Sequence, residues 1–304
     1  MKKRLIIFGS IILFLLLFFI LLNHTILKQY NESFDCFGTT CEITIFSKNP
    51  KAQKTLKQIA LKYQKVEEER RKELEDLQGK SGTIEVSSTL YDWVLQLQKY
   101  DLVWNHDSLI KLWKENLEKE QLPSNQALQK KVSSLQILSE GKVQTDSFDL
   151  NVDMIFSGWL ADQIKKDIEE AGFFSYMMNL GGNVTVGKHY KDQFKIGLYK
   201  PITHTYFDTI EGDHHSVYSV GMSDSTIIQD IAYTPVIDLE TRYPYSYYRS
   251  VTVVDEDPVK ANLLSYVLFT LPLEEGKKLA TEEKLENVIW IRQDETMEYL
   301  KEAK

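Results

Sequence analysis

Two adjacent glycines, Gly181 and Gly182, stand where a short apolar segment ends. Residues Ser175 to Leu180 are predicted to form a buried strand, and Asn183 follows the glycines. Because glycine adopts positive φ and lets other atoms come close, successive backbone N–H groups at such a turn can surround a pyrophosphate. Taken alone, the pair more often marks a plain tight turn. The segment is not G-x-G-x-x-G, so the dinucleotide fingerprint of a Rossmann fold is absent.

The pair His214-His215 beside Asp213 is a second place where side chains could do chemistry, here as metal ligands. Adjacent residues on an extended chain point to opposite sides, so the two imidazoles cannot easily bind one ion. A solvated loop is therefore the preferred interpretation. The sequence contains neither an H-E-x-x-H zinc motif nor a G-x-S-x-G nucleophile elbow.

The elements that must position these residues follow from hydrophobic periodicity. Cys41 to Phe46 alternates as a strand does, and Ala52 to Gln78 carries apolar residues at helical spacing before Gly79. Strands and helices interleave without a repeat or a low-complexity linker, which predicts an α+β fold in one body. The other predicted helices are Leu90 to Val103, Ser108 to Glu118, Ile155 to Ala171 and Lys260 to Leu271, and the other strands are Phe194 to Tyr199, Ser250 to Val254 and Val288 to Ile291.

The apolar run from Leu5 to Leu22 predicts a helix that crosses the cell membrane once. At 1.5 Å per residue it spans about 27 Å, close to the roughly 30 Å hydrocarbon core. Three basic residues precede it, which predicts a cytoplasmic N-terminus. A cleaved signal peptide is the alternative, but the small residues of a cleavage site are missing. We expect a cytoplasmic tip, anchor and polar stalk (Asn23 to Ser33) over residues 1–33, and an extracellular or periplasmic domain over residues 34–304.

The amino-acid composition of the chain bears on which classes of function it can have. The chain has 304 residues with 43% hydrophobic and 12% aromatic residues, ample for a large core. Its formal charge of −8 argues against nucleic acid as a partner. Cys36 and Cys41 could form a disulfide in an oxidising compartment, but two half-buried side chains flanking a turn are the preferred interpretation.

Several blocks of the chain, in order and over roughly residues 34–292, resemble the FAD:protein FMN transferase (ApbE) family. The block from Asn179 to Asn183, followed by Gly187 and by Phe194 to Leu198 with Pro201, is the closest match to the family pattern. No single block decides the resemblance; their colinearity does. The remaining blocks are Phe37-Gly38-Thr39-Thr40, Asn105 to Ser108 with Leu112-Trp113, Ile155 with Ser157 to Asp162, Ile237-Asp238 with Thr241 and Tyr243-Pro244, and Ser250 to Val254 with Ala261 to Ser265.

The resemblance implies a mixed sheet-and-helix body that binds FAD and Mg²⁺. Such an enzyme moves FMN onto a Thr or Ser hydroxyl of a flavin-acceptor protein and releases AMP. It also implies FAD contacts at Gly181, Gly182, Asn183, Asp162, Asp238 and Thr241, metal-site positions at Ser157, Asn262 and Tyr266, and Asp238 as the candidate catalytic residue.

The sequence departs from the family pattern at several functional positions. Pro235 stands at the family's His, Asn262 at its metal-binding Asp, Tyr266 at its metal-binding Thr and Ser157 at its Lys. Three hypotheses follow. The first is a transferase with relocated groups, the second a catalytically degenerate flavin-binding or interaction protein, and the third a structural surface domain. The candidates for relocated groups are Asp224, Asp230 and Asp238.

Overall fold

A computed structural model describes residues 27–301, apart from 37, 101–106, 130–133, 140, 201–204, 222–225, 229–230, 235 and 239. The described strands are β1 Lys28–Cys36, β2 Thr39–Ser47, β3 Gly82–Glu85, β4 Leu135–Ile137, β5 Lys142–Thr145, β6 Tyr176–Leu180, β7 Asn183–Val186, β8 Phe194–Tyr199, β9 Tyr206–Gly212, β10 Ser216–Val220, β11 Thr226–Ile228, β12 Ile231–Tyr233, β13 Tyr248–Asp255, β14 Asn287–Arg292 and β15 Met297–Lys301. The described helices are α1 Lys51–Leu77, α2 Ser88–Lys99, α3 Asp107–Leu117, α4 Asn125–Leu128, α5 Asp153–Glu170, α6 Pro258–Thr270 and α7 Leu273–Glu282.

An eight-stranded sheet forms the centre of the fold, in the order β1-β2-β6-β7-β10-β13-β14-β15. Every neighbouring pair in this sheet is antiparallel. Smaller sheets are formed by β3-β5-β4, by β8-β9 and by β11-β12. Antiparallel strands combined with packed helices confirm the predicted α+β class.

Both faces of the central sheet are covered. Helices α1, α5 and α6 pack on one face and form the largest apolar cluster, which includes Val251 and Val253 of β13. The β8–β9 hairpin covers the other face, where Val254 packs against Phe194 and Ile196. Successive residues of β13 face opposite sides of the sheet, and both sides are covered. The strand therefore carries apolar residues on both of its faces.

Helices α5 and α6 approach each other closely at Gly158. A Cβ atom built on Gly158 would lie 2.6 Å from the carbonyl oxygen of Pro258 and 2.7 Å from the Cβ of Asn262. Any larger residue would force the helices apart. Helix α6 begins nearby at Asp257, whose carboxylate accepts hydrogen bonds from the backbone N–H groups of Val259 and Lys260. This close packing brings Asn262 next to the first turns of α5.

The predicted elements agree with the observed ones except at the N-terminus and in one helix end. The predicted helix over Leu90 to Val103 ends at Lys99, and residues 101–103 lie outside the described part. The prediction that Asn23 to Ser33 forms a stalk is wrong from Lys28 onward, because this segment is strand β1 and pairs with β2 along its length. The polar residues of β1 fit this place, since it is an edge strand with many exposed side chains.

Cys36 and Cys41 flank the turn between β1 and β2, as predicted, but both are fully buried rather than half-buried. Both thiols are free. A hydrogen bond between them and burial together raise the pKa of Cys36 far above its ordinary value.

In the part of the chain that the structure describes, no helix has both the length and the apolar character that crossing a membrane requires. The predicted anchor, Leu5 to Leu22, lies outside the described residues. The anchor therefore stays a prediction, and the predicted division at residue 33 falls inside strand β1.

Candidate functional site

A cavity of about 340 Å³ opens beside the β6–β7 turn, within the size range of small-molecule sites. Helices α5 and α6, the end of β10, helix α3, Thr234 and Val236 supply its other walls. The polar residues among the described lining are Thr39, Lys114, Asn151, Asp153, Ser157, Asn183, Ser219, Thr234, Asn262 and Tyr266.

The glycine pair forms a two-residue hairpin turn. Leu180 pairs with Asn183, so Gly181 and Gly182 are the two central residues, with φ of +63° and +94°. Positive φ at both positions is typical of a type I′ turn, which glycine adopts without strain. Asn179 Oδ1 accepts the N–H of Gly182 at 2.8 Å. The turn therefore uses the Gly182 N–H itself, and Gly181 is the glycine that lines the cavity.

Asn183 joins two walls of the cavity through hydrogen bonds. Its amide Nδ2 donates to Ser157 Oγ at 3.4 Å, and its Oδ1 accepts the N–H of Ser219 at 3.2 Å. The hydroxyl of Tyr218 donates to the carbonyl oxygen of Ser157 at 3.2 Å. Burial raises the pKa of Tyr218, so this phenol stays a proton donor at physiological pH. This part of the site is lined by neutral groups that hydrogen-bond to one another.

Asn262 is buried, and its side chain is already engaged. Its amide Nδ2 donates a hydrogen bond to the backbone carbonyl of Met154 in the first turn of α5. Tyr266, one turn further along α6, also lines the cavity. Both positions predicted for a metal thus reach the same place, but they bring an amide and a phenol.

The described residues do not fit a Mg²⁺ site. Magnesium prefers carboxylate and other hard oxygen ligands in near-octahedral geometry. Within the described residues there is no group of three or more His, Cys, Asp or Glu side chains able to hold an ion. Of the described residues lining the cavity, Asp153 alone carries a carboxylate, and that carboxylate has protein partners.

Asp153 lies at the start of α5 and is held by an arginine. Asn151 Oδ1 accepts the backbone N–H of Asp153 at 2.9 Å, which helps the helix to begin there. The Asp153 carboxylate pairs with Arg70 of α1 at 3.0 Å, and Arg70 also bonds Glu67 at 2.7 Å. Burial lowers the pKa of Arg70, but the Glu67 hydrogen bond and both carboxylates raise it overall. The guanidinium lies 4.4 Å from the Phe156 ring centre, so this ion pair is firmly positioned.

A third wall carries the only cation of the described cavity lining, Lys114 of α3. Trp113 fixes this wall to the later chain, because its Nε1 donates to the carbonyl of Arg242 at 3.0 Å and its ring stacks on Tyr233. Thr234 follows Tyr233 and is buried at the cavity. Within the described residues, its hydroxyl has no hydrogen-bond partner.

The structure brings five of the nine predicted site residues together. Gly181, Asn183, Ser157, Asn262 and Tyr266 line the cavity. The other four lie outside its lining. Asp162 pairs with Lys166 at 2.6 Å, and Gly182 completes the hairpin turn. Asp238 Oδ1 accepts the N–H groups of Glu240 at 2.8 Å and Thr241 at 3.4 Å, and Thr241 is exposed.

The predictions that named Asp224, Asp230 and Pro235 lie outside the described residues. Several lining residues were not predicted, among them Asn151, Asp153, Lys114 and Thr234. Asn151 and Asp153 precede a predicted helix, where such residues are common, and this position was the one available indication. Lys114 and Thr234 are single residues without a motif.

The histidine pair belongs to the β9–β10 turn and lies outside the cavity lining. His215 Nδ1 bonds the carbonyl of Asp213 at 2.7 Å, and its Nε2 lies 3.1 Å from Glu286. His214 has a positive φ of +58°. The His215 ring thus contacts protein groups in the turn, in keeping with the loop interpretation, although His215 is more buried than a solvated loop implies.

Comparisons with known proteins agree with this geometry. The model of the ApbE family matches residues 37–289. The FAD:protein FMN transferase of Klebsiella pneumoniae (strain 342) is 24% identical over 180 residues, 55% of this chain and 56% of that protein. The match thus spans little more than half of that relative.

Solved structures of similar fold cover nearly the whole chain. The apo flavinyl transferase ApbE of Pseudomonas stutzeri superposes with a TM-score of 0.68 at 15% identity, over 90% of this chain and 94% of the other. The ApbE protein of Thermotoga maritima gives 0.70 at 18% identity, over 89% and 96%. The flavin transferase ApbE of Vibrio cholerae gives 0.67 at 20% identity, over 90% and 97%. At these identities the likeness establishes the fold.

Proposed function

Because this chain belongs to the ApbE family, we propose that its cavity binds FAD and that the protein transfers FMN from FAD to a Thr or Ser hydroxyl of an acceptor protein. One observation carries the proposal. The glycine turn, Asn183, Ser157 and the two α6 residues Asn262 and Tyr266 come from separate segments and line one cavity. The resemblance assigns flavin or metal contacts to these same positions, so their convergence supports a retained nucleotide site.

The reaction exchanges one P–O bond for another. The acceptor hydroxyl oxygen forms a bond to the phosphorus of the FMN half, the bridging P–O bond breaks, and AMP leaves with the bridging oxygen. The hydroxyl proton passes to a general base. Asp153 is the described carboxylate that lines the cavity, so in this proposal it accepts that proton, and Arg70 holds it in place.

The remaining predicted residues take positioning roles in the proposal. The Asp238 carboxylate accepts hydrogen bonds from the backbone N–H groups of Glu240 and Thr241. Val236, two residues earlier in the chain, lines the cavity. Gly182 and Asn179 shape the turn that presents Gly181. Asp162 sits further along α5 than Ser157 and is paired with Lys166. Mg²⁺ has no role in the proposed reaction, because the described cavity residues do not provide the oxygen ligands that it prefers.

The second candidate function is flavin binding without catalysis. It is favoured by a specific observation, the hydrogen bond that engages Asn262 where the family has a metal-binding Asp. A neutral amide cannot replace a carboxylate for a hard cation. On this reading the protein presents bound flavin to, or docks beside, a partner protein.

One experiment separates these functions. The purified protein is incubated with FAD, with and without Mg²⁺, and with a peptide that carries an acceptor Thr, while AMP release and peptide mass are followed. Transfer predicts AMP and a peptide heavier by one FMN unit less water. FAD that raises the melting temperature without releasing AMP selects the binding protein, because a ligand of the native state stabilises it. If FAD causes neither AMP release nor a rise in melting temperature, both proposals are overturned and a structural domain remains.

We further propose that the domain works outside the cytoplasm, tethered by Leu5 to Leu22. The apolar length and the basic flank of this segment support the proposal. Intact-mass analysis of protein extracted from membranes tests it. A mature N-terminus between residues 23 and 34 would exclude an uncleaved anchor.

A further inference from the structure

Among the described residues, Lys114 of α3 is the cation that lines the cavity. No described carboxylate lies within ion-pair distance of its ammonium, whereas Lys111, one turn earlier on α3, pairs with Asp107 at 2.6 Å. Lys114 is exposed and also lines the cavity, so its ammonium can contact an anion bound there.

Lys114 is the one cation among the described residues that line the cavity, and Asp153 is the one carboxylate. Arg70 pairs with Asp153 and also with Glu67, so the Asp153 carboxylate is engaged within the protein. The Lys114 ammonium lies on α3, a different wall from α5 where Asp153 lies. A cation on the wall of a cavity attracts an anion to that wall.

Thr234 adds an independent observation on the same wall. Its side chain is 1% exposed, lines the cavity, and has no hydrogen-bond partner within the described residues. A buried hydroxyl without a partner is costly, so such a group points to a bound ligand or ordered water. Trp113 and Tyr233, neighbours of Lys114 and Thr234 in the chain, stack on each other and hold the two segments together.

We infer that the cavity binds the diphosphate of a dinucleotide without a divalent cation, with the Lys114 ammonium as its counter-charge and the Thr234 hydroxyl as a hydrogen-bond donor. The inference rests on the proposed function and deepens it. It explains how a site with Asn262 and Tyr266 at the metal positions can still hold a doubly charged group. An ammonium is a compact charge with three donors and suits phosphate oxygens.

The test measures binding of three ligands to the purified full chain in EDTA and in Mg²⁺, using flavin fluorescence and melting temperature. The ligands are FAD, inorganic pyrophosphate and riboflavin. The variants are Lys114→Gln, Thr234→Val and, as a matched control, Lys119→Gln, which removes the same charge just beyond α3 and outside the cavity lining.

We expect wild-type affinity for FAD and pyrophosphate to agree within about twofold between EDTA and Mg²⁺. Lys114→Gln should weaken both at least about tenfold, the size of a lost charged hydrogen bond, while riboflavin binding stays unchanged. Thr234→Val should weaken both ligands but not lower the melting temperature of the free protein. Lys119→Gln should bind as the wild type does.

Two results would overturn the inference, namely affinity that needs Mg²⁺, or Lys114→Gln binding as tightly as Lys119→Gln. Pyrophosphate separates this failure from failure of the proposed function. Pyrophosphate that binds through Lys114 while FAD does not bind would support the anion site and sink the flavin proposal. FAD that binds equally to all variants would support the flavin proposal and overturn the anion site. If neither FAD nor pyrophosphate binds, both the flavin proposal and the anion site are overturned.

Discussion

The side-chain amide of Asn262 donates a hydrogen bond to the backbone carbonyl of Met154, which ties α6 to the first turn of α5. The residue at this position therefore joins two helices as well as lining the cavity. A carboxylate here would gain a metal ligand but would lose the donor and place negative charge against a carbonyl oxygen. Metal binding and helix packing thus make opposite demands on residue 262.

This conflict predicts the behaviour of Asn262→Asp. In EDTA the variant should lose about 1–3 kcal/mol in the free energy of unfolding, because the Met154 carbonyl loses its partner inside the protein. Millimolar Mg²⁺ should recover part of this loss in the variant and change the wild type little. Urea unfolding of both proteins, with and without Mg²⁺, makes the measurement. Equal Mg²⁺ responses in the two proteins would contradict the prediction.

Gly158 should be the most sensitive glycine of the helices around the site. Gly158→Ala places a Cβ within 2.7 Å of Asn262 and closer still to the Pro258 carbonyl. Overpacking of this kind costs about 1–3 kcal/mol. Gly276→Ala on α7 is the matched control, since its Cβ would meet the Trp290 ring at an ordinary 3.6 Å and alanine favours a helix.

Thermal unfolding compares the two glycine variants directly. Gly158→Ala should melt well below the wild type and lose flavin affinity, because the separation of α5 and α6 moves Ser157 away from Asn262. Gly276→Ala should melt at or above the wild-type temperature. A Gly158→Ala protein that is as stable as Gly276→Ala would mean that the helices can separate without cost.

The sequence predicted several elements whose residues pack on both sides, but it missed the edge strand β1 and the interior strands β7 and β10. The Val-rich β13 and the apolar α6 were identified because burial on every side demands apolar residues. Strand β1 was taken for a stalk because it buries little beyond Phe34 and Cys36. Its strand character depends on pairing with β2, which periodicity within one segment cannot reveal.

The site was predictable only where a motif existed. Gly181, Asn183, Ser157, Asn262 and Tyr266 were located by blocks that keep their order along the chain, and all five line the cavity. Lys114, Asp153 and Thr234 reach the same cavity from three distant segments, one residue each. A lone lysine on a helix carries no sign of its counter-ion, so only the folded arrangement identifies it.

Asp153 is expected to matter for turnover more than for binding. Loss of a general base typically lowers a rate by about 10²-fold or more. Asp153→Asn should reduce AMP release by that order while FAD affinity stays within about threefold, since Arg70 retains Glu67 as a partner. Glu170→Gln, which removes an exposed carboxylate at the far end of α5, should leave both unchanged.

Steady-state AMP release and flavin fluorescence titration are measured on the same preparations of these variants. A pH profile adds a readout that a merely structural role would not alter, because loss of a base removes the acidic limb of the rate profile. If Asp153→Asn keeps full turnover, the general base must be another residue.

The buried thiol pair predicts how stability depends on pH. The hydrogen bond with Cys41 and burial raise the pKa of Cys36 above its ordinary value, so the folded state holds the proton of this thiol at alkaline pH. In the unfolded chain the thiol ionises near pH 8.5. The contribution to stability is therefore fully present below that pH and declines above it, because only the unfolded state gains a thiolate. The slope reaches about 1.4 kcal/mol per pH unit for one thiol.

Urea unfolding between pH 7 and pH 9.5 under reducing conditions tests this behaviour. The wild-type free energy of unfolding should fall more steeply above pH 8.5 than that of Cys36→Ala, which cannot ionise at this position. Cys36→Ala should start lower at pH 7, since it leaves a space in the packing between β1, β2 and α1. The tyrosines with raised pKa, among them Tyr63, Tyr176 and Tyr218, remain in both proteins, so their effect cancels. Parallel pH slopes, or rapid labelling of Cys36 by a thiol reagent in the folded protein, would show that this thiol is not protected.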